Sequence, residues 1–242
     1  MEGSARGYLL LGSIFNELDL AGRRGRRDYF LIPPSPFTLY KFLVMTLATL
    51  ILSSCASPPP KQADNLCSIF SEKEEWYADA RSAEDRWGTP IHVQMAIIRH
   101  ESSYGEDARP PRDYLLGVIP WFRSSSAYGY AQAKDDTWDW YIQKTSNSGA
   151  DRDDFDDAVD FVAWYTNQSH KILGISKWDT YNQYLAYHEG QGGYRKGSYR
   201  NKKWLLRYAR KVEQTAKRYA VQLSACRKSL ETEKSWWSFS PW

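Results

Sequence analysis

The chain is poor in the residues that most enzyme chemistries use. Its 242 residues include three cysteines, four histidines and three methionines. No Cys-x-x-Cys pair occurs, which removes the common thiol-based zinc and redox motifs. His100-Glu101 opens like a His-Glu-x-x-His zinc site, but Tyr104 stands where the second histidine belongs. There is no Gly-x-Ser-x-Gly elbow and no glycine-rich phosphate loop. The formal net charge is only +3, which argues against a dedicated nucleic-acid binder. The acidic stretch Asp151 to Asp160 fails as a calcium loop, because Phe155 and Asp156 fall where a ligand and a glycine are required. No alternating run is long enough for a substantial sheet, and no internal repeat is present.

Aromatic residues are abundant: 15% of the chain, with 11 Trp and 17 Tyr. Some must build the core, but so many also imply flat apolar surface for stacking, and sugar rings suit such faces. The chemistry left open is acid–base work by carboxyl groups on a helical, aromatic-rich domain. Glycoside cleavage fits that description.

The segment Thr89 to Tyr104, TPIHVQMAIIRHESSY, best carries such a carboxyl. Thr89 is placed to cap a helix and Pro90 to begin it. Val93, Ala96 and Ile97 recur at helical spacing, and Glu101 follows four residues after Ile97 on the same face. Ser102, Ser103 and Gly105 favour a turn and end the helix. A carboxyl there meets the negative end of the helix dipole and apolar neighbours. Both raise its pKa toward the range of a general acid.

The remaining chain sorts into segments. Residues 1–40 lack periodicity and read as disordered or as the result of a start placed too far upstream. Lys41 followed by FLVMTLATLILSSC has the positive flank, short apolar run and small residues of an export signal. The run Phe42–Leu52 is too short to span a membrane comfortably. Leu52-Ser53-Ser54-Cys55 resembles a bacterial lipobox, which implies a leader over 1–54 and a lipid-modified Cys55. Residues 55–66, with three consecutive prolines, read as an extended tether. Export places Cys67 and Cys226 in an oxidising compartment, so a disulfide closing the domain is expected over two buried free thiols.

Helices are expected from Ser68 to Gly88, from Thr89, from Asp136 to about Lys144, and from the acidic run to Gly174. Two more are expected from Trp178 to Glu189, stopped by Gly190-Gln191-Gly192-Gly193, and from Lys203 to Ala225. Residues 105–128 form a long loop. The lysine- and arginine-rich stretch 195–228 suits either a solvated helix face or contact with an anionic polymer or membrane. The tail over 227–242 ends in SWWSFSPW, which suits docking, a membrane interface or a free end equally.

Three segments together resemble the lytic murein transglycosylase domain related to goose-type lysozyme. Ala96 to Tyr104 is similar to that family's apolar helix ending in Glu-Ser and an aromatic. Ala127-Tyr128-Gly129-Tyr130-Ala131-Gln132 is similar to its Gly-Leu-Met-Gln. Leu185-Ala186-Tyr187-His188-Glu189-Gly190 is similar to its Ala-Tyr-Asn-Ala-Gly. Order and spacing agree across about residues 67–226.

The resemblance implies a mostly α, lysozyme-like single domain with long loops and little or no sheet. It implies Glu101 as the one catalytic acid and base, acting on the β-1,4 bond between N-acetylmuramic acid and N-acetylglucosamine. Ser102, Tyr128, Gly129, Tyr130, Gln132, Tyr187, His188 and Glu189 become the substrate-binding residues. Gly129 would let the backbone approach a sugar, Gln132 would bond an acetamido group, and the Tyr187 hydroxyl would point toward the Glu101 carboxyl. No metal or cofactor is implied. The implied partners are peptidoglycan glycan strands and, through lipid on Cys55, the periplasmic face of a Gram-negative outer membrane, with a monomeric chain and no nucleic acid. His188-Glu189 departs from the family's Asn-Ala. Glu189 either pairs with nearby cations or holds a substrate amide or a water, and in the last case hydrolysis would compete with transglycosylation. A non-catalytic peptidoglycan-binding lipoprotein is the reading from outside enzymology.

Overall fold

The computed structural model describes residues 57–112, 114–115, 119–120 and 125–237, all within the unit Cys55–Trp242. The expected leader, Cys55 and the end of the tail lie outside the described residues. Among the described residues the elements are α1 (Leu66–Glu72), α2 (Trp76–Trp87), α3 (Ile91–Glu101), β1 (Tyr114–Leu115), β2 (Ile119–Pro120), α4 (Asp135–Thr145), α5 (Phe155–Leu173), α6 (Thr180–Lys196) and α7 (Lys203–Trp237). β1 and β2 pair antiparallel, with Tyr114 opposite Pro120 and Leu115 opposite Ile119. The fold is mostly α.

Helix α3 is the centre of the packing. It contacts α2, α5 and α7, and seven of its residues, from Ile91 to Ile98, are buried. A helix apolar on so much of its circumference is stable only inside a domain. Its start differs from the expected one. Thr89 does not cap it, because its hydroxyl donates to the Ala163 carbonyl of α5 at 3.0 Å. Pro90 is the N-cap, and Glu84 of α2 accepts from the Ile91 N–H at 3.2 Å. The cap is therefore supplied by a neighbouring helix.

The helix expected from Ser68 to Gly88 is two helices. The break after Glu72 lets Trp76 stack flat on Phe155 of α5, with ring centroids 3.8 Å apart and planes 4° from parallel. The acidic run starts α5 through Asp154, whose carboxylate accepts from the Asp156 N–H at 3.1 Å. Gly174, at φ 72°, ends it.

The expected disulfide is present, joining Cys67 of α1 to Cys226 of α7 across 159 residues. A cross-link over so long a loop restricts the unfolded chain and contributes roughly 3–5 kcal/mol. Helix α7 runs past Ala225, since no glycine or proline interrupts it. Leu230 packs on the core, and the Tyr77 hydroxyl donates to Glu231 at 3.2 Å. The first part of the expected tail is thus part of the helical bundle.

Residues 57–65 also lie along the domain rather than running free. The Ser57 N–H donates to Glu106 at 2.8 Å, and Lys73 donates to the Ser57 hydroxyl at 2.6 Å. Asp64 pairs with Arg218 at 3.1 Å, and Tyr219 donates to the Ala63 carbonyl.

Candidate active site

Helix α3 ends by delivering Glu101, and the turn behind it is fixed. Ser102 closes the helix, its N–H bonding to the Ile98 carbonyl at 3.1 Å. Ser103 and Tyr104 then take left-handed backbone, φ 54° and 64°. Such angles are unfavourable for residues with a side chain and persist only where surrounding structure enforces them. Here Tyr104 enforces them: its side chain is fully buried, and its hydroxyl donates to the Met95 carbonyl at 3.1 Å. The Glu101 carboxyl therefore sits at a fixed place.

That place is a cleft of about 380 Å³. Glu101 forms one part of its lining, with Phe161 and Tyr165 of α5 and Tyr187, His188, Glu189 and Gly190 of α6. Ala127, Gln132, Ala133, Lys134 and Thr137 complete it from the loop before α4 and its first turns. Burial pushes the Glu101 carboxyl up to about 7, and a hydrogen bond from the Tyr184 hydroxyl partly opposes that rise. The hydroxyls of Tyr184, Tyr187 and Tyr208 are raised in turn, mainly by burial and next by the Glu101 charge.

The second carboxyl of the cleft has the opposite character. Burial would raise Glu189, but Lys202, Ser198 and His188 hold it down to about 2. Lys202 Nζ lies 2.7 and 2.9 Å from its two oxygens, His188 Nδ1 lies 3.1 Å away, and Ser198 donates to it. Its side chain is only 4% exposed. One cleft thus contains a carboxyl poised near neutrality and one fixed as an anion. Among the described residues no group of three or more His, Cys, Asp or Glu is placed to hold a metal.

The model of the family described as the transglycosylase SLT domain matches residues 43–226. The chain belongs to that family. It is a peptidoglycan lytic transglycosylase, a lyase, in a family of periplasmic cell-wall enzymes. No curated protein and no solved structure matches it. No helix among the described residues is long and apolar enough to cross a membrane.

Within this transglycosylase the three motifs fall unevenly on the cleft. Gln132 lines it, but its amide N–H groups are engaged with the carbonyls of Ala108 at 2.7 Å and Gly129 at 2.9 Å. Two carbonyl acceptors fix the orientation of the amide, so its oxygen is the atom left for an acetamido N–H. Gly129, at φ 75°, is required by the protein itself: a Cβ there would lie 1.9 Å from the Arg152 carbonyl oxygen. The close approach expected from a sugar is made by Arg152.

Tyr130 is 2% exposed and packs edge-on against Trp76 and Phe155, so it belongs to the core and not to the substrate surface. Tyr128 lies outside the cleft lining. Its hydroxyl donates to Asp153 at 2.7 Å, and the Arg109 guanidinium sits over its ring at 4.1 Å. Ser102 also lies outside the lining, its hydroxyl turned back to the Ile98 carbonyl at 3.4 Å.

Tyr187 lines the cleft, but its hydroxyl donates to the Ala131 carbonyl at 2.6 Å. The tyrosine that offsets the rise of Glu101 is Tyr184, one turn earlier on α6. Sequence reasoning missed Tyr184, although its i−3 spacing from Tyr187 put it on the same face. Tyr165, Lys134 and Thr137 were missed as well, for none stands in a motif. Gly190 takes φ 73° and ψ 158°, a conformation open essentially to glycine alone. It kinks α6 at the cleft wall, and the helix resumes through Gly192 and Gly193 to Lys196.

Proposed function

We propose that Glu101 acts alone as general acid and then general base in cleaving the β-1,4 bond from N-acetylmuramic acid to N-acetylglucosamine. The carrying observation is the buried Glu101 carboxyl in the cleft, with its pKa pushed up to about 7. Protonated Glu101 donates to the glycosidic oxygen as the C1–O4 bond breaks. The muramoyl acetamido group supports the developing positive charge at C1, so no enzyme nucleophile is needed. Glu101, now anionic, takes the proton of the C6 hydroxyl as O6 bonds to C1. The product is a 1,6-anhydro-muramoyl end, no water is consumed, and Glu101 returns to its starting state.

The state of Glu189 supports this reading over hydrolysis. A carboxylate held at about 2 by Lys202, Ser198 and His188 is a weak base for activating water. Tyr184 would steady Glu101 in its anionic phase. Gln132 would accept from an acetamido N–H, and Tyr187 would brace the opposite wall through Ala131. Glu101→Gln on purified sacculi tests the assignment: loss of cleavage with the fold kept is expected, and full turnover would overturn it.

The same proposal gives the chain an address. Residues 1–54 are the leader, and Cys55 carries lipid on the periplasmic face of the outer membrane. Residues 55–66 are the link, 67–226 the catalytic domain, and 227–242 the tail. Because Ser57 is bonded to Glu106 and Lys73, the link leaves Cys55 only two residues from the body of the domain. A lipid there would hold the enzyme close to the bilayer. Radiolabelled palmitate carried by the wild type and lost from Cys55→Ser is the expected result; label in both would move the anchor elsewhere.

A further inference from the structure

His188 and Glu189, the pair that departs from the family pattern, act on one piece of structure. Glu189 accepts from Ser198 and from Lys202, at 2.7 Å for the nearer Lys202 contact. Ser198 is also bonded through its N–H and hydroxyl to the Gly193 carbonyl, at 3.1 and 3.0 Å. The connection between α6 and α7 is therefore pinned to the cleft wall at both ends. Two residues beyond Lys202 stands Trp204. Its ring meets the His188 ring edge-on, with centroids 5.2 Å apart and planes at 76°. His188 lines the cleft, whereas Trp204 is 52% exposed.

A half-exposed indole held against His188 presents flat apolar surface, a plate, to solvent. Sugar rings carry axial C–H groups on their faces and hydroxyls around their edges, which suits them to such plates. The plate continues a cleft whose substrate is a polysaccharide, and Arg207, one turn further along α7, is exposed beside it. The carboxylates of peptidoglycan peptide stems would meet a cation there.

We infer that Trp204, backed by His188, is a stacking platform for a sugar ring of the glycan strand, beyond the two sugars flanking the cleaved bond. Glu189 is a positioning residue for it, acting through Ser198 and Lys202. The inference rests on the proposal that this cleft, with Glu101, is where the bond is broken. It accounts for Glu189 without giving it a proton to move, and for His188 as the residue that joins the platform to the cleft.

The test compares wild type, Trp204→Ala, Trp204→Phe and His188→Ala on glycan strands of increasing length, with Glu101→Gln alongside. On long strands Trp204→Ala should raise KM about tenfold with kcat nearly kept, which matches the usual worth of an aromatic stacking contact. Trp204→Phe should recover most of the loss, and His188→Ala should shift KM the same way by less. On the shortest cleaved substrate the two Trp204 variants should match wild type. An unchanged KM on long strands, or a loss equal at every length, would overturn the platform while leaving the role of Glu101 intact. Full turnover by Glu101→Gln would instead remove the catalytic reading, and the platform with it. Because Trp204 is half exposed, its replacement should leave the thermal midpoint close to that of wild type; a large drop would make the indole a packing residue and overturn the inference.

Discussion

The Tyr184 hydroxyl favours the charged form of the Glu101 carboxyl, while Tyr187, three residues later on the same helix, directs its hydroxyl to Ala131. Two tyrosines one turn apart thus have different tasks. One tunes the acid, and the other joins helix α6 to the loop that holds Gln132. Since the Tyr184 bond favours the charged form of Glu101, removing it should let burial raise the carboxyl further. Tyr184→Phe is expected to move the alkaline limb of the kcat/KM profile to higher pH. A pH–rate series on soluble glycan strands checks this, and a limb shifted downward would contradict it.

Glu101 should also weaken the fold it serves. Its carboxyl has a folded value of about 7 against an ordinary 4.5. Between those values the folded chain keeps a proton that the unfolded chain has released, so stability falls as pH rises through that window. Above pH 7 the loss amounts to about 3 kcal/mol. Glu101→Gln should therefore be more stable than wild type at pH 8, with the advantage gone near pH 4. Denaturant melts at the two pH values measure the difference.

Glu189→Gln should keep the chemistry and change the grip. Its contacts fix the α6–α7 connection, so the variant should raise KM and lower stability by about 1–3 kcal/mol. Anhydro ends should remain the product. A fall in kcat of a hundredfold or more at unchanged KM would mean that Glu189 touches the reaction.

Gly129→Ala tests how the Gln132 loop is built. The new Cβ would meet the Arg152 carbonyl at 1.9 Å from a backbone at φ 75°. A loss of roughly 3 kcal/mol or more in thermal or denaturant stability is expected. Tolerance of alanine with unchanged stability would contradict the packing described.

Much of the frame is legible in the chain, and the reasons are local. The apolar spacing of Val93, Ala96 and Ile97 marks α3 and puts Glu101 at its end. Asp154 and Gly174 bracket α5 because capping is a short-range matter. What the sequence hides comes from distant partners. Nothing near Gly129 announces that Arg152 lies against it. Nothing near Tyr130 announces Trp76 and Phe155, which draw it into the core. Thr89 reads as a cap until Ala163 takes its hydroxyl. Gly190-Gln191-Gly192-Gly193 reads as a stop, yet only Gly190 leaves helical geometry. The partner of Glu101 turns on which of two neighbouring hydroxyls reaches it, which spacing alone does not decide.

The central claim, that one carboxyl both gives and takes the proton, is tested most directly by mass spectrometry of products released from purified sacculi. Wild type and Glu101→Gln are compared. Wild type should release muropeptides with 1,6-anhydro ends, lighter by one water than their reducing-end counterparts, and Glu101→Gln should release none. Reducing-end products from the wild type, or anhydro products from Glu101→Gln at the wild-type rate, would contradict the account.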